Sequence, residues 1–154
     1  MKFETARFGT IETAESRVIT MKGGILGFDH LRRFTLLIQE QGNPLWWLQS
    51  LEDGAVAFVV IDPRVVKPDY RPEISKTDRA FLEISQEEEF SLLSIVTIRH
   101  QPFGVTVNLR APLVINTEKR LASQVVLEED YPVRYAVALA DERDGSGVTA
   151  AAQL

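Results

Sequence analysis

The sequence predicts an all-β fold, a small barrel or roll of mostly antiparallel strands with one short helix near residues 75–84. Two observations carry this expectation. Short apolar runs rich in β-branched and aromatic residues recur along the chain, and Gly, Pro, Asn and Asp clusters separate them at intervals too short for most helices. With 154 residues, the chain suits one domain, since domains commonly run about 100–150 residues. We place that domain at residues 1–136 and read residues 137–154 as a mobile C-terminal tail.

Residues 2–21 supply two or three strands, with turns near Gly9 and Glu15-Ser16. Phe34-Thr35-Leu36-Leu37-Ile38 forms the next strand, and Gln41-Gly42-Asn43-Pro44 reverses the chain. Leu45-Trp46-Trp47-Leu48-Gln49-Ser50 follows and ends at Glu52-Asp53-Gly54, an Asp-Gly turn. Residues 55–61 are apolar without a break until Asp62-Pro63, so burial on both faces places this run centrally in a sheet. A helix over residues 75–84 follows from Ser75 as cap, Asp78 in the first turn, and Ala80, Phe81 and Ile84 on one face. Residues 92–98 form a strand, closed by the loop of residues 99–104. Val105, Val107 and Leu109 then alternate with Thr106, Asn108 and Arg110, the period of a strand with one buried face. Pro112 cannot donate a ladder hydrogen bond, so the chain bends or changes neighbours there. Leu113-Val114-Ile115 and Val125-Val126-Leu127 complete the strands. After Tyr131-Pro132 the strand character is lost.

Composition removes several classes of chemistry. The absence of cysteine excludes a disulfide framework, a zinc-thiolate site and a cysteine nucleophile, and suits a reducing, cytoplasmic setting. The N-terminus turns polar within three residues, unlike a secretory leader. No run reaches the roughly 18 apolar residues of a membrane span. Acids outnumber bases by 22 to 17, giving a net charge of −5, which argues against nucleic acid as a direct partner. His30 and His100 share no ligand spacing, so no metal or other cofactor is expected. No nucleophile elbow or phosphate-binding lysine loop is present. Gly23-Gly24-Ile25-Leu26-Gly27 lacks the strand–loop–helix setting of a dinucleotide site and reads as a close backbone crossing.

What remains points to binding. Trp46 and Trp47 occupy successive strand positions, so their indoles face opposite sides. One fills the core, and the other is covered or serves as an exposed contact. Glu87-Glu88-Glu89 and Glu128-Glu129-Asp130 are solvated faces or docking surfaces for a basic partner. Asn108 is a structural amide or a recognition group. The competing class is a small-ligand-binding or enzymatic β-barrel with a pocket near residues 23–28.

An ordered series of segments resembles the FliW family of bacterial flagellar assembly factors. It comprises Gly24-Ile25-Leu26-Gly27-Phe28, Leu45-Trp46-Trp47-Leu48-Gln49-Ser50 and Ala57-Phe58-Val59-Val60-Ile61-Asp62-Pro63. It continues through Asp69-Tyr70, residues 106–116, Gln124-Val125-Val126-Leu127 and Tyr131-Pro132-Val133-Arg134. The chain departs from the family at Met21-Lys22 and over residues 141–154. The resemblance implies a non-enzymatic, barrel-like cytoplasmic protein, monomeric on its own. It also implies two mutually exclusive partners, flagellin and CsrA, a small basic RNA-binding translational regulator. The candidate contact residues are Trp46, Trp47, Gln49, Tyr70, Glu87, Glu88, Glu89, Asn108, Glu128, Glu129 and Asp130.

Overall fold

The computed structural model describes residues 1–85 and 90–138. The tail expected from residue 137 falls outside this range from residue 139 onward, as do Glu87, Glu88 and Glu89. The fold is all-β, as expected, but carries two short helices.

The strands are β1 (Lys2–Thr5), β2 (Gly9–Glu12), β3 (Ile19–Met21), β4 (Arg33–Leu37), β5 (Leu45–Ser50), β6 (Ala57–Ile61), β7 (Phe90–His100), β8 (Phe103–Val107), β9 (Leu113–Asn116), β10 (Leu121–Gln124) and β11 (Tyr135–Val137). Strands β1 and β2 form a separate hairpin. The others form a nine-stranded sheet in the order β11-β8-β7-β6-β5-β4-β3-β10-β9, and a further pairing of β7 with β9 closes it into a ring. All pairings are antiparallel except β3 with β10.

Every strand of the ring contributes to one buried cluster: Ile19 and Met21, Phe34, Leu48, Val60, Leu93, Leu113 and Ile115, and Ala122. This cluster therefore fills the ring. Residues of the opposite parity, including Leu45, Ile61, Leu92 and Val114, join a second cluster with Tyr70, Ile74, Leu82, Val125 and Leu127. The period of two sends alternate side chains to two cores, which explains why β6 reads as an unbroken apolar run. That strand lies between β5 and β7, as predicted, and begins at Ala57 because Asp53 Oδ1 holds Ala55 N–H in the preceding turn, 3.0 Å away.

Long strand β7 pairs first with β9, through residues 90–93, and later with β8, through residues 96–100. Val107 faces Val96 and Leu113 faces Leu93, and Asn108 N–H still donates to Ile95 O, so residues 109–112 bulge out of the ladder. This is the change of neighbours anticipated at Pro112.

Four expectations are corrected. Helix α1 (Pro63–Val66) forms where only a strand end was read: Asp62 caps it by accepting from Arg64 N–H, and Pro63 occupies the first turn, where its missing N–H costs nothing. Helix α2 (Lys76–Phe81) is shorter than predicted. Ser75 Oγ accepts from Asp78 N–H at 3.1 Å, but Glu83 adopts a φ of 57° and ends the run. The strand expected at residues 125–127 lies earlier, at β10. The Asn116 side chain accepts from the N–H groups of Glu118 and Lys119, and Arg120 takes a φ of 57°, so the turn is tight and pairing resumes at Leu121. Residues 125–127 stay extended but bond to the bulge, Val125 N–H to Pro112 O and Leu127 N–H to Arg110 O. Finally, strand character returns after Pro132, because Tyr135 and Val137 suit a strand and pair with Val107 and Val105 of β8.

Candidate partner-binding surface

Trp46 is half-buried against the ring core. Trp47 faces the other way and is buried under the β1–β2 hairpin. The Phe8 ring meets it edge-on at 5.6 Å, and the Arg7 guanidinium lies 4.6 Å from its ring centre. The hairpin covers Trp47, whereas the core takes only part of the Trp46 indole. Gln49 is also fully buried; its Nε2 approaches the carbonyls of Ser50, Gly54 and Val56 at 3.0, 3.3 and 3.1 Å. Neither Trp47 nor Gln49 presents a broad face to solvent.

Tyr70 is 0% exposed. Its hydroxyl donates to Leu109 O at 2.7 Å, and its ring packs edge-on against Tyr131 at 4.7 Å. Burial, helped by Tyr131 and Glu129, holds its pKa well above the ordinary phenol range. Asn108 is half-buried, and its Oδ1 accepts from Arg110 N–H at 3.1 Å and Ala111 N–H at 2.9 Å. It is the structural amide of the bulge. Tyr70 and Asn108 thus brace one feature from two directions.

Around this brace lies a groove of about 400 Å³. One wall is residues 73–78, at the start of α2, and the other is residues 125–129. Ile74, Val125, Val126 and Leu127 supply apolar surface; Glu73, Asp78, Glu128 and Glu129 supply negative charge against one cation, Lys76. Val126 is 59% exposed. The walls are joined where Glu129 Oε1 accepts from Glu73 N–H at 2.8 Å. Glu128 is exposed, whereas Asp130 pairs with Arg110, whose Nε also donates to Tyr131 O at 2.8 Å. The second predicted acidic cluster is therefore divided: Glu128 and Glu129 line the groove, and Asp130 serves the brace. Sequence reading missed the apolar floor, whose one legible signal was the Val125-Val126-Leu127 run.

Residues 23–28 form a crossing. A Cβ on Gly23 would stand 1.9 Å from Ser123 Oγ and 3.4 Å from the Phe81 ring, and Leu26 N–H donates to Gln124 Oε1 at 2.9 Å. Neighbouring side chains fill the space at Gly23, and Phe28 packs edge-on against Phe58 at 5.1 Å. His30 and His100 are exposed; the first lies in the turn between β3 and β4 and the second ends β7. Among the described residues, no group of three or more His, Asp or Glu side chains is placed to hold a metal. Among them, too, no helix is long and apolar enough to cross a membrane.

Comparison with known proteins covers most of this chain. The sequence model of the family described as FliW protein matches residues 2–137. The flagellar assembly factor FliW of Syntrophus aciditrophicus (strain SB) is 50% identical over 138 residues, spanning 89% of this chain and 87% of that protein. The protein of the same name from Thermosipho africanus (strain TCF52B) is 43% identical over 137 residues, spanning 88% and 94%. A crystal structure of the flagellar assembly factor FliW superposes with a TM-score of 0.80 at 34% identity, over 88% of this chain and 96% of that one. With the ring fold matched as well as the sequence, the chain belongs to the FliW family of flagellar assembly factors.

Proposed function

We propose that the protein is a cytoplasmic, non-enzymatic flagellar assembly factor that binds flagellin and, in exchange, the regulator CsrA. It thereby couples flagellin synthesis to export. The observation that carries this reading is the family match over residues 2–137, together with relatives named flagellar assembly factor FliW along nearly their whole length. Unsecreted flagellin occupies the protein; once flagellin is exported, the freed protein captures CsrA, and flagellin messenger RNA is released for translation. The device is a pair of competing equilibria, set by partner concentrations through mass action.

The groove at residues 73–78 and 125–129 supports this reading as a contact for a basic partner. Exposed Val126, edged by Glu73, Asp78, Glu128 and Glu129, offers a small apolar contact, and the acids supply a field that speeds encounter with a cationic protein. Glu87, Glu88 and Glu89 are proposed as a second acidic contact. Trp46 adds a half-buried indole.

The test is to titrate the protein with purified flagellin and CsrA, separately and then together. Each should bind alone, and flagellin should displace CsrA. Failure to bind either would refute the assignment. Glu128→Lys with Glu129→Lys should slow CsrA association and flatten its salt dependence. Unchanged association rates would remove the groove from the CsrA interface.

A further inference from the structure

We infer that the outer side of β11 takes an extended, acidic segment of a protein partner as a further strand. This site shares no lining residue with the groove, and it does not depend on the partners proposed above.

Among the described residues β11 pairs with β8 alone, so its far side ends the sheet. Alternate N–H and C=O groups of an antiparallel strand point to each side. Those on the far side of β11 meet no backbone partner among the described residues. Such an edge is a template for another extended backbone. Space lies beside it: a cavity of about 300 Å³ is lined by Tyr135, Ala136, Val137 and Ala138, and by Val65 and Val66 of α1. Val65 is 56% exposed. Lys67 ties the end of α1 to the strand, its Nζ lying 6.0 Å from the Tyr135 ring centre and 3.1 Å from Asp69.

The two faces of β11 set the chemistry of the occupant. Tyr135 and Val137 pack on the second core together with Val66, whereas Arg134 and Ala136 have the opposite parity and are exposed. An added strand would turn alternate side chains toward Val65 and Val66, and the others toward Arg134. Arg64, beside Val65, is exposed too. The nearby acids are engaged within the chain: Asp62 caps α1, and Asp69 pairs with Lys67. Positive charge therefore marks this edge on a chain whose net charge is −5. Apolar residues alternating with Asp or Glu fit it. A second copy of the chain fits it poorly, since it would bring its own Arg64 and Arg134 to the same edge.

The test uses the full chain, labelled with nitrogen-15, and three end-blocked peptides. One is Glu-Val-Glu-Val-Glu-Val-Glu, one has Lys in place of Glu, and one is the acidic peptide methylated on every backbone nitrogen. The acidic peptide should shift the amide resonances of residues 135–138, and the other two should not. Arg64→Glu with Arg134→Glu should weaken its binding about tenfold. Val65→Asp, which sets an acid against the incoming strand, should weaken it as well. All three positions are exposed, and unchanged melting curves verify the fold of both variants. No shift with the acidic peptide, an equal shift with the methylated one, or binding indifferent to the substitutions overturns the inference. Without peptide, shifts at residues 135–138 that grow with protein concentration would assign the edge to a second copy and overturn it. Slow hydrogen exchange at every one of those amides would overturn it too, by showing the edge already covered within the chain.

Discussion

Replacing Tyr70 with phenylalanine isolates one oxygen at the centre of the brace. The ring keeps its edge-on contact with Tyr131, and the substitution removes only the hydroxyl that donates to Leu109 O at 2.7 Å. Both groups lie in the second core, so the orphaned carbonyl has no access to bulk solvent. Leaving such an acceptor unpaired costs about 1–3 kcal/mol, and Tyr70→Phe should lose that much at pH 7 in urea denaturation followed by circular dichroism. The pH dependence separates this cause from a packing defect. The folded-state pKa of Tyr70 is raised, so its contribution is intact below the unfolded value near 10 and declines as pH rises above it. The unfolded chain then releases a proton that the folded chain retains, and wild type should lose about 1.4 kcal/mol by pH 11 on this account. Tyr70→Phe has no such proton. The difference between the two proteins should therefore narrow between pH 10 and pH 11. A constant difference across that range would show that the hydroxyl titrates normally, and would refute the reasoning.

Three further outcomes follow from the same structure. Gly54→Ala places a Cβ 2.2 Å from Glu4 O; forcing the hairpin outward should cost about 1–3 kcal/mol and shift Trp47 fluorescence to longer wavelength as its cover loosens. Asn108→Ala deprives Arg110 and Ala111 N–H of their shared acceptor and should lower stability by about 1–3 kcal/mol in urea, while Asn108→Asp, which keeps the oxygen, should lose less. Glu52 accepts the Arg32 and Arg33 N–H groups, and the Arg32 bond above all depresses its pKa. A depressed carboxylate stabilises above its unfolded pKa and loses that effect as pH falls, so thermal melts should find Glu52→Gln less stable at pH 7 and the difference shrinking between about pH 5 and pH 3.

The parts of the fold legible in the sequence are those set by neighbours in the chain. The Asp53-Gly54 turn, the Ser75 cap and the Trp46–Trp47 opposition depend on contacts a few residues away. The sequence predicts a barrel or roll, but closure of the ring through β7 and β9 depends on partners 20 to 26 positions apart. Tyr70 read as a candidate contact because nothing local reveals that Leu109 takes its hydroxyl, 39 positions away. The groove was hidden for the same reason: its walls meet through a bond between Glu73 and Glu129, separated by 56 positions. Asn108 looked ambiguous because an amide that organises a bulge and one that faces a partner have the same sequence signature. Strand β11 escaped notice because three residues after a proline carry too little periodicity to register.

The brace and the groove are mechanically one object, and this bears on how a competition sensor can work. The floor residues Val125 and Leu127 are tied by their N–H groups to the bulge at Pro112 and Arg110. Tyr70 ties the chain leading to the other wall to Leu109, and Glu129 joins the two walls directly. A surface held at so many points on a closed sheet is already ordered before a partner arrives, so binding loses little conformational entropy. Rigid-body association of that kind leaves affinity to charge and contact area rather than to slow rearrangement. Under the function proposed above, a preformed surface lets the balance between two partners follow their concentrations on the timescale of dissociation. Loosening the brace through Asn108→Ala or Tyr70→Phe should accordingly weaken the proposed partner binding at the groove, although neither side chain lines it.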